Sequence, residues 1–495
     1  MHQPTKTVVV LGASYAGKAV HQLVEKLPED WRVVVIERNT HFNHLYTLPR
    51  LAVLRGHEHK AFIPYTKLFK PKACPGCAPA TDLPEPVQCH DFIHANVTSI
   101  EAHRVNFARL STRPCDVDTP SYVDFDYLVY GLGSRLPAPI NIWSPSRSIG
   151  PGTPNDSQES LLLDDDHDGT KTKSRQWLRT AHHRIKAATS VLVIGGGALG
   201  VQFATDVADV YPNKEVTLVH SRDQLLPRFD RWMHDTVMDR LREMNVRTLL
   251  NTRIDLNSLK TPPASPYTCG IPASESVGTL DLSPTFSTPD LSESPCPTPP
   301  LVSPHLPSFM LPSPVVQAED SCTTIRTTDG REINADLILF CTGQTHNTSF
   351  LEMLSPKSIN YERGSAAYVM PSLQLGTKAD NGEVRLSEYP HIFVIGDAAD
   401  AFGALKSGSA AWCQASNSPH AEHAVKNIVR LIEGRDSELE SYTPPPVGIK
   451  VSLGLKYAAH QTSKQTFEKK ENCCETLGIN NMWKRRGLSL DDMTI

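Results

Sequence analysis

The sequence predicts an α/β fold that contains two similar parallel sheets. The stretches TVVVLGASYAGKAV (7–20) and TSVLVIGGGALGVQFATDV (189–207) share one plan, in which an apolar run is followed by a glycine-rich turn and a helix-forming segment. A second apolar run follows each of them, at 31–38 and 215–221. Strand, tight turn, helix and buried strand form the unit from which doubly wound parallel sheets are built. We therefore predict two Rossmann-like dinucleotide-binding domains.

The predicted elements take the same order in both halves. Strands are predicted at 7–12, 31–38, 126–134, 190–197, 215–221, 335–343 and 391–399. Helices are predicted at 15–27 and 198–210, and a long helix is expected to follow Lys406 and to reach Leu431. Residues 261–318 are rich in proline, serine and threonine, a composition that does not bury enough apolar area to fold, so they are predicted to be a disordered insertion.

These patterns predict an order of domains along the chain. The predicted parts are 1–143 (first dinucleotide-binding domain, first part), 144–185 (loop or linker), 186–345 (second dinucleotide-binding domain, with the insertion), 346–435 (first domain, second part) and 436–495 (C-terminal cap or tail). The sequences on either side of the insertion, NVRTLLNTRIDL and TTIRTTDGREINADLILF, are predicted to be neighbouring strands.

Composition narrows the class of protein. The chain has 495 residues, enough for two or three domains, and a net charge of −5, which disfavours a nucleic-acid-binding protein. No apolar run reaches the length of a membrane span, and the polar start leads directly into a strand, so no signal peptide is expected. The 11 scattered cysteines are typical of reduced thiols, and a cytoplasmic location is expected.

The first glycine-rich turn comprises Gly12, Ala13, Ser14, Tyr15, Ala16 and Gly17. It follows the G-x-G-x-x-G pattern, with serine in place of the middle glycine. The N-terminus of the next helix offers unpaired N–H groups and about half a positive charge to a diphosphate. Glu37 ends the second strand, where an acid accepts hydrogen bonds from a ribose 2′-hydroxyl and repels a 2′-phosphate. This predicts FAD or NAD; the alternative is a turn without a ligand.

The second turn, with Gly195, Gly197 and Gly200, is an intact G-x-G-x-x-G motif. The position that matches Glu37 is occupied by a histidine, which Ser221 and Arg222 follow. An arginine is suited to bind a 2′-phosphate. This favours NADPH over NADH, and the alternative, that Arg222 is a solvated loop residue and NADH binds, stays open.

A third motif is YPHIFVIGDAADAFGALKSGSAAWCQA (389–415), in which a strand ends in Gly396-Asp397. It resembles the second flavin motif of the two-dinucleotide-binding-domain flavoproteins, the pyridine nucleotide-disulfide oxidoreductase superfamily. YLVYGLGS and LILFCTG resemble the motifs that join the domains of that family. Within it, YTLPRLAVL (46–54) and ALKSGSAAWCQ (404–414) resemble the apoptosis-inducing-factor-like, mitochondrion-associated branch, which includes the ferroptosis-suppressor type of NAD(P)H:quinone oxidoreductase.

The resemblance implies a noncovalent FAD, a visiting NAD(P)H and a quinone-like acceptor. It implies that the first turn binds FAD together with Glu37, Arg38, Val97, Gly133, Gly396 and Asp397. It implies that NAD(P)H binds at Gly195, Gly197, Gly200, Ser221, Arg222 and Gly343. Lys406 matches a lysine of the branch and is predicted to be catalytic, near the isoalloxazine or the acceptor; a buried structural ion pair is the alternative. Gln202 stands where the family usually has an acid.

Other classes of function remain as alternatives. A disulfide reductase is disfavoured, because HFNHLYTLPRLAVL (41–54) lacks the cysteine pair of that class. A flavin-binding interaction or cell-death-signalling protein with low turnover stays open. Cys74 and Cys77, with Cys89 and His90, are a weak zinc pattern, and no metal is predicted. The segment MWKRRGLSL (482–490) is a candidate for peripheral contact with anionic lipid, which would place the protein on a mitochondrial or lipid-droplet surface; the oligomeric state stays open.

Overall fold

The computed structural model describes residues 6–69, 90–110, 120–135, 168–259, 322–402, 420–444, 448–462 and 466–494. All of these residues belong to one compact unit. The predicted catalytic Lys406, the cysteines at 74, 77 and 89 and the predicted insertion 261–318 lie outside the described residues.

The described strands alternate with helices as predicted. The strands are β1 (Lys6–Leu11), β2 (Trp31–Glu37), β3 (His41–Asn43), β4 (Phe62–Pro64), β5 (Asp91–Glu101), β6 (Arg104–Arg109), β7 (Pro120–Asp124), β8 (Tyr127–Tyr130), β9 (Ser134–Arg135), β10 (Ser190–Ile194), β11 (Glu215–Val219), β12 (Arg247–Leu249), β13 (Ile254–Asp255), β14 (Thr323–Thr327), β15 (Glu332–Ala335), β16 (Leu337–Phe340), β17 (Thr345–His346), β18 (Ile359–Asn360), β19 (Ala366–Tyr368), β20 (Gly376–Lys378), β21 (Val384–Leu386), β22 (Ile392–Val394), β23 (Ala399–Asp400), β24 (Ile449–Ser452), β25 (Ala458–Gln461) and β26 (Phe467–Lys470). The α-helices are α1 (Gly17–Lys26), α2 (Leu48–Val53), α3 (Lys171–Ala187), α4 (Ala198–Val210), α5 (Arg231–Glu243), α6 (Ser349–Leu354), α7 (His420–Ile432) and α8 (Ile479–Arg485).

The first sheet has the strand order β22-β8-β1-β2-β5-β6-β7. The five strands from β22 to β5 run parallel, and β6 and β7 continue the sheet antiparallel. The inner strands are buried on both faces, which explains why their sequences are continuous apolar runs. Because β22 follows the whole second domain in the chain, the first domain is built from two separate stretches, as predicted.

The second sheet has the order β12-β11-β10-β16, and all of its pairs are parallel. The two sheets confirm the predicted α/β fold. Next to the second sheet, β13 pairs antiparallel with β14, with Ile254 opposite Thr327. The strands that flank the predicted insertion are therefore neighbours, as expected.

The prediction of a loop or linker at 144–185 is wrong for residues 171–185. These residues belong to α3, which begins after Thr170, whose hydroxyl accepts a hydrogen bond from the backbone N–H of Lys173. The apolar side chains of Trp177, Leu178 and Ile185 are buried on one face. The helix is otherwise so rich in basic residues that its apolar face is narrow, which explains why the sequence pattern did not reveal it.

The C-terminal cap consists of the antiparallel sheet β24-β25-β26 and the helix α8. In the segment 482–490, for which a lipid contact is predicted, Met482, Trp483 and Leu488 are buried, while Lys484, Arg485 and Leu490 are exposed; the contact stays a prediction. None of the helices among the described residues is long and apolar enough to cross a membrane.

Candidate active site

The first glycine-rich turn lies at the carboxyl end of β1. Gly12 has a φ of +83°, and a Cβ atom at this position would lie 2.8 Å from the carbonyl oxygen of Gly131, which follows β8. A side chain would therefore be strained by the backbone and would collide with the neighbouring strand end. Since α1 begins at Gly17, the turn presents the N-terminus of a helix beside the end of the sheet.

Glu37, at the end of β2, holds this turn in place. Its Oε2 accepts a hydrogen bond from the backbone N–H of Ala13 at 2.8 Å. Its Oε1 accepts hydrogen bonds from the backbone and side-chain nitrogens of Asn39, both at 3.0 Å. The carboxylate is buried beside the turn, which is the position that recognises a ribose hydroxyl in this type of fold.

A cavity of about 400 Å³ opens at this end of the first sheet. The structure brings ten of the predicted FAD residues to its wall: Gly12, Ser14, Tyr15, Ala16, Glu37, Arg38, Val97, Gly133, Gly396 and Asp397. Two predicted residues do not line it. Ala13 contributes its N–H to Glu37 and buries its methyl group, and Gly17 packs against the side chain of Leu68.

Asp397 closes the far side of this cavity. Ser134 donates a hydrogen bond from its hydroxyl to Oδ2 of Asp397 at 3.1 Å. The backbone carbonyl of Asp397 lies 2.5 Å from Nδ1 of His346, and the N–H of Gly396 donates to Nδ1 of His420 at 3.1 Å. The strand-to-glycine turn at β22 is thus fixed by side chains from three other parts of the fold.

Sequence reasoning missed several residues of this wall. They are Asn39, Asn43, Leu45, Leu48, Asn96, Gly131, Leu132, Ser134, Arg135, Asn347, Ser349, Phe350 and Ile395. Most of them belong to loops or short elements that carry no local motif. The glycine-ending strand YLVYGLGS was the one signal that pointed to the segment from Gly131 to Arg135.

The second turn repeats the geometry at the end of β10. Gly195 has a φ of +120°, and a Cβ there would lie 2.3 Å from the carbonyl oxygen of Cys341. A Cβ on Gly200 would lie 1.8 Å from the carbonyl oxygen of Gly195, so this glycine lets α4 pack closely on the turn. A Cβ on Gly197 would meet no atom within 4 Å, which leaves its backbone open to a ligand. The three glycines therefore have the three roles that the motif requires.

His220 replaces Glu37 in this second turn. Its Nδ1 accepts a hydrogen bond from the backbone N–H of Gly196 at 3.1 Å. Burial lowers the pKa of His220, and the nearby positive charge of Arg222 acts in the same direction. The ring is therefore neutral at physiological pH, and the turn is held without a negative charge at the point where NADH-binding sites carry an acid.

A second cavity, of about 860 Å³, opens beside this turn. Of the predicted NAD(P)H residues, Gly197 and Arg222 line it, while Gly195, Gly200, Ser221 and Gly343 do not. Gln344 lies at the wall instead of Gly343, and Gln202 faces the cavity as well. Arg228 is a second arginine of the wall, and no sequence motif marked it.

The two cavities share Leu45 and Asp397, so they adjoin. Two glycine cradles at parallel strand ends, which open onto adjoining cavities, fit one dinucleotide in each. Among the described residues, no group of three or more histidine, cysteine or acidic side chains is arranged to hold a metal ion. The fold and the site define a protein that binds two dinucleotides next to each other.

Comparisons with known proteins identify the family. The family model of pyridine nucleotide-disulphide oxidoreductases matches residues 6–261, and the chain belongs to this family. "Fe-regulated protein 8" of Mycosarcoma maydis is 41% identical over 494 residues, which cover 99% of this chain and 96% of that protein. "Ferroptosis suppressor protein 1" of Homo sapiens is 20% identical over 461 residues, which cover 92% of this chain and 88% of that protein.

A solved structure shows the same fold. The sulfide:quinone oxidoreductase from the hyperthermophilic bacterium Aquifex aeolicus is 14% identical, with a TM-score of 0.58, and the match covers 98% of this chain and 92% of that chain. At this level of identity the likeness concerns the fold alone. The chain is therefore a pyridine nucleotide-dependent flavoprotein oxidoreductase by family, and its two adjoining cavities are the candidate sites for the two nucleotides.

Proposed function

We propose that the chain oxidises NAD(P)H through FAD and passes the electrons to a quinone-like acceptor, as a member of the apoptosis-inducing-factor-like, ferroptosis-suppressor-type branch. One observation carries the proposal: the two nucleotide cavities adjoin at Leu45 and Asp397. A reduced nicotinamide held at the second turn is thereby directed toward the first cavity.

The cofactors supply the hydride chemistry, from nicotinamide C4 to flavin N5. The protein supplies position and environment. Gly12 and Gly195 allow the tight turns at the two strand ends, Gly197 leaves its backbone open to a diphosphate, and Glu37 holds the first turn. Ser134 orients Asp397 at the junction of the cavities.

Apolar side chains in the second cavity support a quinone-like acceptor. They come from three parts of the fold, with Tyr46 and Pro49 near α2, Leu199 at the second turn and Ile449 and Leu477 from the cap. Sites for planar apolar ligands are typically lined in this way, with a few polar groups that fix orientation. The Aquifex aeolicus protein that shares the fold is also named for a quinone.

The charges at the second turn favour NADPH. Arg222 and Arg228 line the cavity, and the neutral His220 takes the place of the usual acid. A 2′-phosphate is therefore met by two guanidinium groups, whereas the carboxylate of Asp397 lies where the two cavities adjoin. For NADH, in contrast, the site has no acid at the position that would accept a hydrogen bond from the ribose 2′-hydroxyl.

The function is tested by purifying the protein, recording its visible spectrum and titrating NADH and NADPH separately with a soluble quinone. The expected result is a yellow protein that bleaches with NADPH and turns over when the quinone is added. Stable flavin binding with negligible turnover would instead favour the interaction or signalling protein. A colourless protein that does not take up FAD would contradict the proposal.

The nucleotide preference is tested by Arg222→Ala and Arg228→Ala. Each change is expected to lower kcat/KM for NADPH by about tenfold or more, because a charge-assisted hydrogen bond contributes roughly 1.5–3 kcal/mol. The value of kcat/KM for NADH should stay nearly the same. Arg231→Ala is the control, since Arg231 is exposed on α5 and pairs with Asp235. Equal losses for both nucleotides would contradict the assignment.

Two cysteines favour a second candidate function, the reduction of a disulfide. Cys473 and Cys474 both line the second cavity. A hydrogen bond from Thr476 lowers the pKa of Cys474, which favours the thiolate. The Cys474 thiolate would attack a substrate disulfide and release one thiol, and Cys473 would displace the second as a Cys473–Cys474 disulfide forms. Hydride from NAD(P)H and one solvent proton would restore the dithiol.

A chromogenic aryl disulfide distinguishes the two acceptors. If the quinone is the acceptor, Cys473→Ser and Cys474→Ser leave NAD(P)H–quinone turnover within about twofold of the wild type, since serine is similar in size and the thiols then carry no electrons. If the dithiol carries the electrons, both variants lose turnover with the disulfide. Cys322→Ser is the matched control, because Cys322 is exposed and does not line the cavity.

A further inference from the structure

Arg486, directly after α8, reaches from the C-terminal cap to the first glycine-rich turn. Its Nη2 donates a hydrogen bond to the carbonyl oxygen of Ser14 at 2.9 Å, across 472 positions of the sequence. Its guanidinium lies 3.6 Å from the ring centroid of Phe42, in a cation–π contact. A Cβ on Gly17 would lie 3.8 Å from its Nη1. The arginine therefore lies directly beside the start of α1.

The charge of Arg486 has no acidic partner among the described residues. No described carboxylate forms an ion pair with it within 4.0 Å. The titratable groups around it are Tyr15, Tyr65, His21 and His44. Burial, with the charge of Arg486, lowers the pKa of His21 to about 4 and that of His44 to about 3, so both rings are neutral. Burial also lowers the pKa of Arg486 itself, to about 10, which leaves it charged at physiological pH.

The cap holds this arginine firmly. The indole of Trp483 is fully buried, and its N–H donates to the carbonyl oxygen of Lys60 at 2.9 Å. The ammonium of Lys171 lies 5.2 Å from the centroid of the indole. Met482 and Leu488 are buried on either side of the same segment. The position of the guanidinium is thus fixed by packing and not by a carboxylate.

We infer that Arg486 is a positioning residue for the diphosphate of FAD. It braces the turn through the Ser14 carbonyl, and it places a positive charge behind the backbone onto which the diphosphate binds. Arg486 does not line the first cavity, whereas Ser14 and Tyr15 do, so it acts through the turn. A half-buried charge without a counter-ion is costly, and the anion that offsets this one is the bound diphosphate. The inference rests on the FAD site and not on the identity of the acceptor.

FAD titration of apo-protein tests this, with flavin fluorescence as the measurement. Arg486→Met is expected to lower the affinity for FAD by about tenfold, which is equivalent to about 1.4 kcal/mol. The difference from the wild type should shrink at high salt, because salt screens the interaction between the charge and the diphosphate. Arg486→Lys should recover part of the loss. Arg485→Met, at the exposed neighbouring position, is the control and should bind FAD like the wild type.

The melting temperature of the apo-protein separates this role from a merely structural one. Arg486→Met should leave the apo-protein as stable as the wild type, or more stable, because it removes an uncompensated charge. Arg486→Gln keeps a donor for Ser14 without the charge, and it gives the same comparison if the methionine variant fails to fold. Wild-type affinity for FAD in these variants, or equal destabilisation of the apo- and FAD-bound forms, would overturn the inference alone. Failure of the wild type to bind FAD would overturn the site itself.

Discussion

Each of the three glycine-containing turns donates a backbone hydrogen bond to a different side chain from elsewhere in the fold. Glu37 accepts from Ala13, His220 from Gly196 and His420 from Gly396. The first acceptor is a carboxylate, and the other two are neutral imidazoles, since burial lowers the pKa of both histidines. The turns are therefore similar in backbone geometry but differ in charge, and this difference underlies the proposed preference for different nucleotides.

Glu37→Gln tests the role of the first carboxylate. The amide loses the charge, and it lacks a second carboxylate oxygen to accept from Ala13 and Asn39 together. FAD affinity is expected to fall by about tenfold to a hundredfold, because hydrogen bonds to charged groups contribute roughly 1.5–3 kcal/mol. Fluorescence of released flavin measures the change. Glu215→Gln, at an exposed position of β11, should not alter it, and equal FAD release by both variants would argue against the site.

Buried histidines predict acid sensitivity. Burial lowers the pKa of His21 to about 4 and those of His44 and His420 to about 3, from an ordinary value of 6.5. Between pH 6.5 and the lowered pKa values, these histidines bind protons in the unfolded chain but not in the folded chain. Each histidine therefore costs up to about 1.4 kcal/mol of stability per pH unit, down to its folded pKa. The neutral histidines therefore cost no stability above pH 6.5, and they lower the free energy of unfolding progressively as the pH falls toward 4.

The melting temperature as a function of pH measures this effect. His420→Asn, whose amide oxygen is able to accept from Gly396, should flatten the fall between pH 6.5 and 4. Gln176→Asn, at an exposed position of α3, replaces no titrating group and should leave the slope unchanged. If His420→Asn and the wild type show the same slope, the ring of His420 is not the source of the effect.

At the scale of elements, strands with glycine-ending apolar runs were predictable, because their pattern is local. β1, β2, β10 and β11 begin and end within a few residues of the predicted limits. The predicted strands at 126–134 and 391–399 are shorter in the structure, since the chain leaves the sheet at Gly131 and near Gly396 to line the cavity. The helix α3 was missed because only its tertiary contacts reveal which face is apolar.

Because β13 pairs directly with β14, we expect residues 261–318, the predicted insertion, to be dispensable for the fold. Replacing residues 261–318 by a Gly/Ser linker of about ten residues should change the melting temperature by less than about 3 °C, because loop-closure entropy varies slowly with length. Thermal unfolding followed by circular dichroism measures it. Ile325→Ala, within β14, is the contrast: Ile325 is fully buried, and the variant should lose about 2–4 kcal/mol.

At the scale of the whole molecule, Arg50 joins the two nucleotide domains and the cap. Its Nε donates to Oδ2 of Asp206 on α4 at 2.8 Å, and both side chains are fully buried. Its other nitrogens donate to the carbonyl oxygens of Gly454 and Glu475, each at 2.7 Å. One side chain of α2 therefore fixes three parts of the fold around the second cavity.

A double-mutant cycle measures this junction. Arg50→Met alone should cost about 3–5 kcal/mol, because it leaves the Asp206 carboxylate buried without a partner. Adding Asp206→Leu should recover part of the loss. Arg104→Met, in an exposed pair with Asp124, is the control and should change the free energy of unfolding far less than Arg50→Met, because solvent screens exposed ion pairs. Equal free energies of unfolding for Arg50→Met and Arg104→Met would contradict this role.

Much of the site followed from the sequence, and the remainder depended on long-range packing. Spacing indicated the two turns and Glu37, and the resemblance of 389–415 to a flavin motif implied Asp397. The wall residues Asn96, within β5, and Asn347, in a loop after β17, are distant in sequence, and no local pattern marks them. The segment MWKRRGLSL gave a candidate lipid contact, which stays a prediction; in the structure its tryptophan is buried and Arg486 donates to the first turn. Whether such a basic segment is exposed to lipid or packs inside the protein depends on which distant residues fold against it, and a local pattern does not show these.

The position of Trp483 has a consequence for biosynthesis. Its indole fills a place formed in part by Lys60, 423 positions earlier, so the first domain stays incomplete until most of the chain has left the ribosome. Until then the nascent polypeptide exposes an apolar pocket, the kind of surface that chaperones recognise. Messages with a premature stop shortly before codon 483 would thus yield products that are retained by chaperones or degraded.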